Sequence, residues 1–315
     1  MQLIRGLHNL PAVAETLKNG CVLTIGNFDG IHLGHQQVLD QVVSQAKALG
    51  LPSMVMLFEP LPIEFFAPNR APVRLMNLRE KLEGFQKTHI DFVLVCRFNA
   101  EFANQTPKEF VEGLLAERLH VKKLVVGDDF RFAKDRSGNF DYLNQQGRKL
   151  GFEVEDMSTL TIGADRVSST RIRQALAAHD LTLAQSLLNK PFCFKGRVIH
   201  GKKLGRQLGF RTLNLNPKRI QMPVEGVYTV YVTGLADQDW PGIANIGIRP
   251  TVDGLRPSIE VHLFNWTKEV YGKHVGVKLD QFIRSEMRFD DLDALKAQIV
   301  QDIARAKQIL KIEDI

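Results

Sequence analysis

Residues 21–50 read CVLTIGNFDGIHLGHQQVLDQVVSQAKALG and predict a strand, a glycine-rich turn and a helix, in that order. The apolar run at the start is typical of a buried strand. The helix, expected over 34–49, ends at Gly50, a residue that is favoured as a left-handed helix cap. Its apolar residues share one face, at Val38, Val42, Val43 and Ala46. A strand that leads directly into a helix is the building unit of a parallel sheet covered by helices.

The same alternation of strand and helix continues to about residue 180. Further helices are expected near 78–88 and near 107–118. Around them lie short apolar runs typical of strands, SMVMLF, DFVLVC, KKLVVG and FEVEDM. Because such alternation favours a parallel sheet with helices on its faces, we predict an N-terminal α/β domain of Rossmann-like architecture.

The pattern changes near Pro191, after which short strands are separated by Gly, Pro and Asn. The strands are expected within CFKGRVIHG, GVYTVYVTGL, IANIGI, SIEVHLF and VGVKLDQFI. Strands at this spacing, with no helices between them, predict a small antiparallel β-barrel. A C-terminal amphipathic helix is expected to cover the barrel with Leu292, Leu295, Ile299, Ile303, Ala306 and Leu310. We therefore divide the chain into domains 1–184 and 185–315.

Composition limits the function. The 315 residues are 44% apolar, enough for two cores, and carry a net charge of +6. No run of about 18 uncharged apolar residues occurs and the N-terminal segment lacks a signal-peptide core, so we expect a cytoplasmic protein without membrane association. The three cysteines form no C-x-x-C pair and are expected to be core residues. The positive charge is spread along the chain, which favours nucleotide phosphates over nucleic acid as partners.

The strongest functional signal is the turn Gly26-Asn27-Phe28-Asp29-Gly30-Ile31-His32-Leu33-Gly34-His35. Glycine lets a backbone approach a phosphate closely, and a helix N-terminus offers N–H groups and a partial positive charge. His32 and His35 can both face that point and donate hydrogen bonds to phosphate oxygens. We expect this turn to hold a polyphosphate through Gly26, Asn27, Phe28 and Gly34, and the family resemblance given below implies that this polyphosphate is ATP. The alternatives are a plain turn with surface histidines and a zinc site, for which no carboxylate or cysteine completes the ligand set.

A second phosphate-binding segment is expected at Val167-Ser168-Ser169-Thr170-Arg171-Ile172-Arg173. Serine and threonine directly before a helical run are typical N-caps, and the N-terminus of this helix would carry Arg173 one turn in. We predict that Ser169 and Thr170 bind ATP and that Arg173 stabilises charge on the phosphates. Taken alone, the segment favours the alternative of an ordinary capped helix.

The barrel region contains its own candidate phosphate site in GRVIHGKKLGRQLGFRTLNL, residues 196–215. Backbone N–H groups of such a basic, glycine-rich loop could bind ATP phosphates, and we expect Gly201, Lys203 and Gly205 to do so. The segment is not a Walker P-loop, and a basic hairpin between strands is the alternative. Thr212 and Asn214 fall on one side of a strand, so their neutral oxygens could hold Mg²⁺ together with phosphates and water.

A carboxylate in the strand SIEVHLF is the candidate base. Glu260 shares its strand face with His262. A carboxylate placed there could accept the proton of a hydroxyl group that attacks the γ-phosphate of ATP. From the residues alone, a solvated carboxylate on a strand face is the preferred interpretation.

Together these segments resemble the bacterial bifunctional riboflavin kinase/FAD synthetases over nearly the whole chain. The H-x-G-H motif is shared with the wider nucleotidyltransferase superfamily, whereas Phe58-Glu59-Pro60 and Gly127-Asp128-Asp129-Phe130-Arg131-Phe132 are similar to the flavin-adenylylating family alone. The resemblance implies riboflavin, FMN, FAD and ATP as ligands and Mg²⁺ as cofactor. It also implies catalytic roles for Glu260, His32, His35 and Arg173, and flavin contacts for Asp129, Phe130 and Arg284.

Four residues depart from the family pattern, Leu61, Ala133, Arg211 and Asn265. Ala133 stands where the family usually has glycine, and none of the four is assigned to chemistry. The alternatives to a bifunctional enzyme are a family member with one activity and a non-catalytic flavin or nucleotide binder. A class I synthetase-like enzyme is disfavoured because a K-M-S-K-S-type loop is not apparent.

Overall fold

The computed structural model describes residues 1–127, 129–157, 160–200, 210–251 and 254–313. The chain divides into two compact units. The first unit comprises Met1–Pro72 and Leu78–Val167, and the second comprises Val73–Asn77 and Ser168–Ile315. The residues just before the barrel therefore pack with the barrel, while a functional boundary between residues 184 and 185 stays a prediction.

A six-stranded sheet forms the centre of the first unit, and its neighbouring strands pair in parallel. The strands are β1 (Gln2–Arg5), β2 (Cys21–Ile25), β3 (Ser53–Glu59), β4 (Phe92–Arg97), β5 (Val121–Val126) and β6 (Glu153–Asp156). Their order across the sheet is β1-β4-β3-β2-β5-β6. The predicted parallel α/β sheet is confirmed, and the edge strand β1 is an addition that the sequence did not reveal.

Helices cover this sheet and complete a core of buried side chains from both layers. They are α1 (Ala14–Leu17), α2 (Leu33–Leu49), α3 (Pro62–Phe66), α4 (Leu78–Phe85), α5 (Ala100–Ala103), the π-helix Glu109–Arg118 and α6 (Phe140–Leu150). Helix α2 ends at Gly50 with a φ of 64°, as predicted. Its buried face contains Val38, Leu39, Val42 and Ala46, whereas Val43 is only half-buried. A short antiparallel hairpin of β7 (Thr161–Ile162) and β8 (Asp165–Arg166) follows the sheet.

The strand order fixes where this unit can bind a ligand. From β2 the chain proceeds to β3 and β4 on one side, and it later continues to β5 and β6 on the other side. In open α/β sheets, ligands bind beyond the carboxyl ends of the strands at the point where the order reverses. That point lies between β2 and β5, so the segments that follow Ile25 and Val126 meet there.

A closed antiparallel barrel forms the second unit, with the strand order β10-β13-β12-β11-β14-β9. The strands are β9 (Cys193–Ile199), β10 (Thr212–Leu215), β11 (Gly226–Thr233), β12 (Trp240–Thr251), β13 (Gly254–Leu263) and β14 (His274–Arg284). Helices α7 (Ser169–Ala177) and α8 (Leu181–Leu188) precede it, and α9 (Leu292–Leu310) follows. The predicted barrel with a C-terminal helix is confirmed.

Only part of α9 packs on the barrel as expected. Ala306 is fully buried with Phe264, and Ile303 and Leu310 pack against them. At the other end of the helix Leu292 is 57% exposed. The predicted apolar face therefore packs on the barrel in the C-terminal half of α9. The start of the helix, at Leu292, is exposed.

An arginine inside the second unit holds the segment Val73–Asn77. Arg219 is buried, and its guanidinium donates to the carbonyl oxygens of Leu75 at 2.8 Å and Arg74 at 3.4 Å. The same group lies 4.9 Å from the centre of the Phe194 ring. These contacts explain why five residues from the middle of the first unit's sequence belong to the second unit.

Two of the three cysteines are core residues, as predicted. Cys21 and Cys96 are buried, and burial raises the pKa of each thiol to about 12. Cys193 is half-buried. Among the described helices, none has the length and apolar character needed to cross a bilayer. The cytoplasmic location stays a prediction.

Candidate functional site

The turn between β2 and α2 has a strained backbone. Phe28, Gly30 and Ile31 have φ angles of 45°, 95° and 44°. Glycine adopts such angles freely, but a bulky or β-branched residue at positive φ is an outlier that persists only where packing enforces it. Phe28 and Ile31 are each 2% exposed. The surrounding core therefore holds this turn in one shape, a property that is concentrated at binding sites.

Two imidazole rings lie together at the start of α2. His32 is the N-cap of the helix, and its Nδ1 accepts a hydrogen bond of 3.3 Å from the backbone N–H of His35. The rings stack with their centres 3.6 Å apart. Because Nδ1 of His32 accepts this hydrogen bond, the ring carries its proton on Nε2 and can donate there. The structure thus brings together the two histidines that the sequence identified.

His35 is held in its neutral form. Burial lowers the pKa of the imidazole well below its usual value, and the charges of His32 and Lys81 lower it further. Its Nδ1 is buried and has no hydrogen-bond partner among the described residues. A buried polar atom of this kind is uncommon in native structures and is typical of sites that a ligand completes.

Lys81 is a site residue that our reading of the sequence missed. It lies on α4, is 2% exposed, and donates from Nζ to the carbonyl oxygen of Asn27 at 2.9 Å. Its position gave a signal, because Leu78 and Phe85 flank it on the same helix face at apolar spacing. A lysine on the apolar face of a helix is seldom fully buried without a specific partner.

Gly26 and Gly34 of the turn differ in the space that a side chain would have at each position. A Cβ at Gly26 would lie 3.0 Å from the Phe28 ring, so a side chain there would displace the ring. A Cβ at Gly34 would lie 3.4 Å from the His32 ring, an ordinary contact distance. Packing against Phe28 is therefore a reason for glycine at position 26, whereas the His32 ring leaves room for a side chain at position 34.

A cavity of about 750 Å³ opens at the topological switch point of the first unit. Gly26 and Asn27 line it after β2, and Asp129 and Phe130 line it after β5. Its remaining wall is rich in aromatic rings, from Phe58, Phe66, Phe98, Phe102, Phe110 and Phe132. The expected ATP-binding turn and the expected flavin contacts thus share one cavity. The family segments in the sequence contain Phe58, Phe130 and Phe132, whereas Phe66, Phe98, Phe102 and Phe110 come from segments that the sequence did not single out.

The loop that closes this cavity carries backbone strain. Ala133 has φ 63° and ψ −177°, a combination that essentially only glycine adopts without cost. Asp135 and Arg136 also have positive φ. A two-way backbone pairing between Phe132 and Gly138 fixes the base of the loop. Ala133 is the position where the family usually has glycine, and the backbone geometry gives the physical reason for that preference.

Helix α7 in the second unit begins as predicted. Ser168 is its N-cap, and the Oγ atom accepts from the backbone N–H of Arg171 at 3.2 Å. Ser169 opens the helix and Thr170 is exposed. Arg173 donates from Nε to the carbonyl oxygen of Val73 at 2.6 Å. The phosphate-binding roles of Ser169, Thr170 and Arg173 stay predictions.

The polar residues of the barrel site occupy one face of three neighbouring strands. Asn214 on β10 pairs with Glu260 on β13, and Glu260 pairs with Asn245 on β12. Two residues further along the same strands, Thr212 pairs with His262. The alternate residues of these strands, Leu213, Leu215, Ile259 and Val261, are buried. Register therefore aligns an amide, a carboxylate and a second amide in one row. The sequence had singled out Thr212, Asn214 and Glu260.

His262 closes the row at the strand end. Its ring nitrogen Nδ1 lies 2.8 Å from the carbonyl oxygen of Arg211, and burial lowers the pKa of the imidazole. A cavity of about 170 Å³ lies beside Thr212 and Asn214. The predicted ATP-binding residues Gly201, Lys203 and Gly205 lie outside the described residues.

Arg284 binds a carboxylate of the C-terminal helix. It ends strand β14, and its guanidinium binds the buried carboxylate of Asp302 on α9 with a shortest contact of 2.7 Å. Another of its N–H groups donates to the carbonyl oxygen of Ser285. These contacts anchor α9 to the barrel, and a flavin contact by Arg284 stays a prediction.

Comparison with known proteins agrees with this division. The family model for FAD synthetase matches residues 14–171, and the model for riboflavin kinase matches residues 188–310. Proteins described as bifunctional riboflavin kinase/FMN adenylyltransferase are similar over the whole length. The Escherichia coli K12 protein is 49% identical over 98% of this chain and 97% of its own, and that of Haemophilus influenzae is 48% identical over 98% of both.

A solved structure shares the fold across both units. It is described as a macrolide-efflux protein from Streptococcus pneumoniae, and it superposes with a TM-score of 0.74 at 28% identity. The match covers 91% of this chain and 94% of the other.

Proposed function

Because the chain belongs to the family of bifunctional riboflavin kinase/FMN adenylyltransferases, we propose that each of its two compact units carries out one of the two reactions. The enzyme phosphorylates riboflavin to FMN with ATP, and then transfers an adenylyl group from a second ATP to FMN, giving FAD and pyrophosphate. The first unit is the adenylyltransferase and the barrel is the kinase.

The aromatic cavity of the first unit is the flavin site for adenylylation. The volume of about 750 Å³ suits a ligand of this size, and flat aromatic walls suit an isoalloxazine ring. Gly26 and Asn27 belong both to this lining and to the strained turn. A flavin in the cavity would therefore direct its phosphate toward the turn that binds ATP, and this shared lining is the observation on which the proposal rests.

Adenylylation at this turn needs positioning and charge stabilisation. A phosphate oxygen of FMN attacks the α-phosphorus of ATP, the bond to the β-phosphate breaks, and pyrophosphate leaves. His32 donates from Nε2 to oxygens that gain charge. The His35 ring lies against it and stays neutral, because burial and the charges of His32 and Lys81 lower its pKa. No covalent enzyme intermediate is required.

The row of polar residues on the barrel is the kinase site. Glu260 accepts the proton of the ribityl hydroxyl group as the hydroxyl oxygen attacks the γ-phosphorus of ATP. The bond between the γ-phosphorus and the β,γ-bridging oxygen breaks, and ADP leaves. Asn214 and Asn245 flank it on the neighbouring strands and keep the face polar. The support for this role is the register, which gives Glu260 two amide neighbours while its own strand neighbours are buried in the barrel.

Mg²⁺ is the cofactor we propose, with Thr212 and Asn214 as its protein ligands in the kinase. The described residues contain no cluster of three or more His, Cys, Asp or Glu side chains that could hold a metal ion. Two neutral oxygens fit Mg²⁺, which usually keeps its waters and binds substrate phosphates in addition to few protein groups. Bound there, it would neutralise phosphate charge. Chelation with EDTA should stop FMN formation, and excess Mg²⁺ should restore it.

Two single substitutions test the assignment of separate sites. Purified enzyme is incubated with riboflavin, ATP and Mg²⁺, and the flavins are separated by liquid chromatography. His32→Ala should lower FAD formation by roughly 100–1000-fold, the usual effect of removing one charge-stabilising donor, so that FMN accumulates. Glu260→Gln should lower FMN formation by roughly 100–10,000-fold, the range expected for a general base, while supplied FMN is still converted to FAD.

Matched exposed residues provide controls. His8→Ala in the first unit and Glu225→Gln in the second replace exposed side chains and should leave both rates within about twofold of wild type. If His32→Ala or Glu260→Gln abolished both reactions in a folded protein, the assignment of one site to each unit would be wrong.

A further inference from the structure

One face of α4 supports the phosphate-binding turn directly. This face carries Lys81, Gly84 and Phe85. The Phe85 ring meets the Phe28 ring edge-on at 5.6 Å, and a Cβ at Gly84 would lie 2.5 Å from Cδ1 of Ile31. Helix and turn are thus in direct contact at both strained residues. The helix is the part of the core that enforces the unusual backbone.

The third contact between this face of α4 and the turn is made by the charged side chain of Lys81. Lys81 is 2% exposed, and its Nζ donates to the Asn27 carbonyl at 2.9 Å. Moving an ammonium group out of water is unfavourable by several kcal/mol unless specific contacts compensate, so an apolar side chain of the same length would fill this position more easily. An ammonium here is therefore better explained by what it does to the turn than by packing.

The carbonyl group that Lys81 binds belongs to a peptide that determines the shape of the turn. The Asn27–Phe28 peptide leads into the first strained residue, and Asn27 also lines the flavin cavity. Fixing the Asn27 oxygen fixes the orientation of that peptide, and with it the direction of the following N–H groups. Those are the groups that a glycine-rich turn before a helix offers to phosphate.

We propose that Lys81 is a positioning residue for FMN adenylylation, whose buried ammonium holds the Asn27 carbonyl and thereby the shape of the turn that binds ATP. The inference rests on the proposed function, since it takes the turn as the ATP site. Lys81 acts through the backbone and does not itself need to touch a substrate.

A second effect of the same charge can be measured separately. His32 and Lys81 are the charged groups that lower the pKa of His35, after burial. Removing the ammonium should raise the pKa of His35. If neutral His35 is required, adenylylation by the variant will then be lost at a higher pH than in wild type as the solution is acidified. A purely structural role for Lys81 would lower stability without moving this limb of the pH profile.

The test compares Lys81→Met, which keeps the length and removes the charge, with Lys81→Arg, which keeps a cation. The exposed residue Lys87, just beyond α4, provides the control Lys87→Met. We expect Lys81→Met to lower kcat for FMN adenylylation by roughly 10–100-fold, since displacement of a positioned group by about 1 Å has effects of this size. Riboflavin phosphorylation by the same protein should stay within about twofold. Lys81→Arg should retain more of the rate than Lys81→Met.

Thermal unfolding and the pH profile of adenylylation are recorded for each variant. Lys81→Met with the wild-type adenylylation rate and an unmoved pH profile would overturn the proposal, and so would a loss of rate fully accounted for by a smaller folded fraction. His32→Ala separates this failure from a failure of the site. If His32→Ala stops adenylylation and Lys81→Met does not, only the role of Lys81 is wrong. If neither has an effect, the turn is not the ATP site.

Discussion

Replacing Ala133 with glycine should stabilise the first unit. The residue has φ 63° and ψ −177°, and its neighbours fix it there through the pairing of Phe132 with Gly138 and the hydrogen bond from the backbone N–H of Lys134 to the Gln105 carbonyl. A non-glycine residue in this region of backbone space carries about 1–3 kcal/mol of strain. Glycine relieves that strain because it has no Cβ.

The net gain in the free energy of unfolding is smaller than the strain that is relieved, because glycine also makes the unfolded chain more flexible. That effect destabilises by about 0.4–1 kcal/mol. The difference is a net stabilisation of roughly 0.5–2 kcal/mol, which for a unit of this size raises the unfolding midpoint by roughly 1–8 °C. Differential scanning calorimetry of the full chain measures it, with the second-unit transition identified by the shift that Arg219→Ala causes.

An identical substitution at an ordinary position supplies the control. Ala48 is an exposed residue of α2, where glycine should destabilise by roughly 0.5–1 kcal/mol. The two variants are therefore expected to shift the midpoint in opposite directions. If Ala133→Gly lowered the midpoint as Ala48→Gly does, the backbone strain inferred at Ala133 would not exist.

Three further predictions concern single side chains. Because the pKa of His35 is lower in the folded protein than its unfolded value near 6.5, the unfolded chain binds a proton first on acidification, and the first unit should lose stability below about pH 6.5. Urea unfolding between pH 5 and 8 should show a shallower loss for His35→Gln, and equal slopes would contradict the shift. Arg219→Ala leaves buried carbonyls of the segment Val73–Asn77 without their donor, so it should destabilise the second unit by roughly 2–4 kcal/mol and open that segment to limited proteolysis; an unchanged cleavage pattern would show that the segment is held by other contacts. Arg284→Ala removes the main partner of a buried carboxylate, Asp302, and should destabilise by roughly 3–5 kcal/mol in thermal unfolding of the second unit. A rise in KM for riboflavin with unchanged stability would instead favour the flavin contact.

The central strands and both histidines were predictable because their signals are local. A run such as Cys21–Ile25, buried on both faces, leaves a continuous apolar stretch in the sequence. Strand β1 has only two apolar residues among its four, and helix α6 is polar apart from its buried stripe, so neither gave a comparable signal. The pairing of Arg284 with Asp302 gave no local signal either, because the two residues lie on separate elements, β14 and α9.

Other features of the candidate sites could not be predicted from the sequence, because they depend on the pairing of strands that are distant along the chain. That Glu260 lies between Asn214 and Asn245 depends on the pairing of three strands that are distant in sequence. The aromatic cavity likewise collects rings from segments that meet only through the strand order of the sheet. Lys81 is intermediate, because its place on an apolar helix face was visible but its partner was not.

Closure of the barrel has a consequence for how this enzyme can vary. Since β10 pairs with β13 on one side and with β9 on the other, it has no free edge along which a strand could slide. Deleting one residue from β13 ahead of Glu260 would turn that carboxylate toward the apolar interior and an apolar neighbour outward. Insertions and deletions in these strands should therefore be tolerated only in the connecting hairpins or in steps of two.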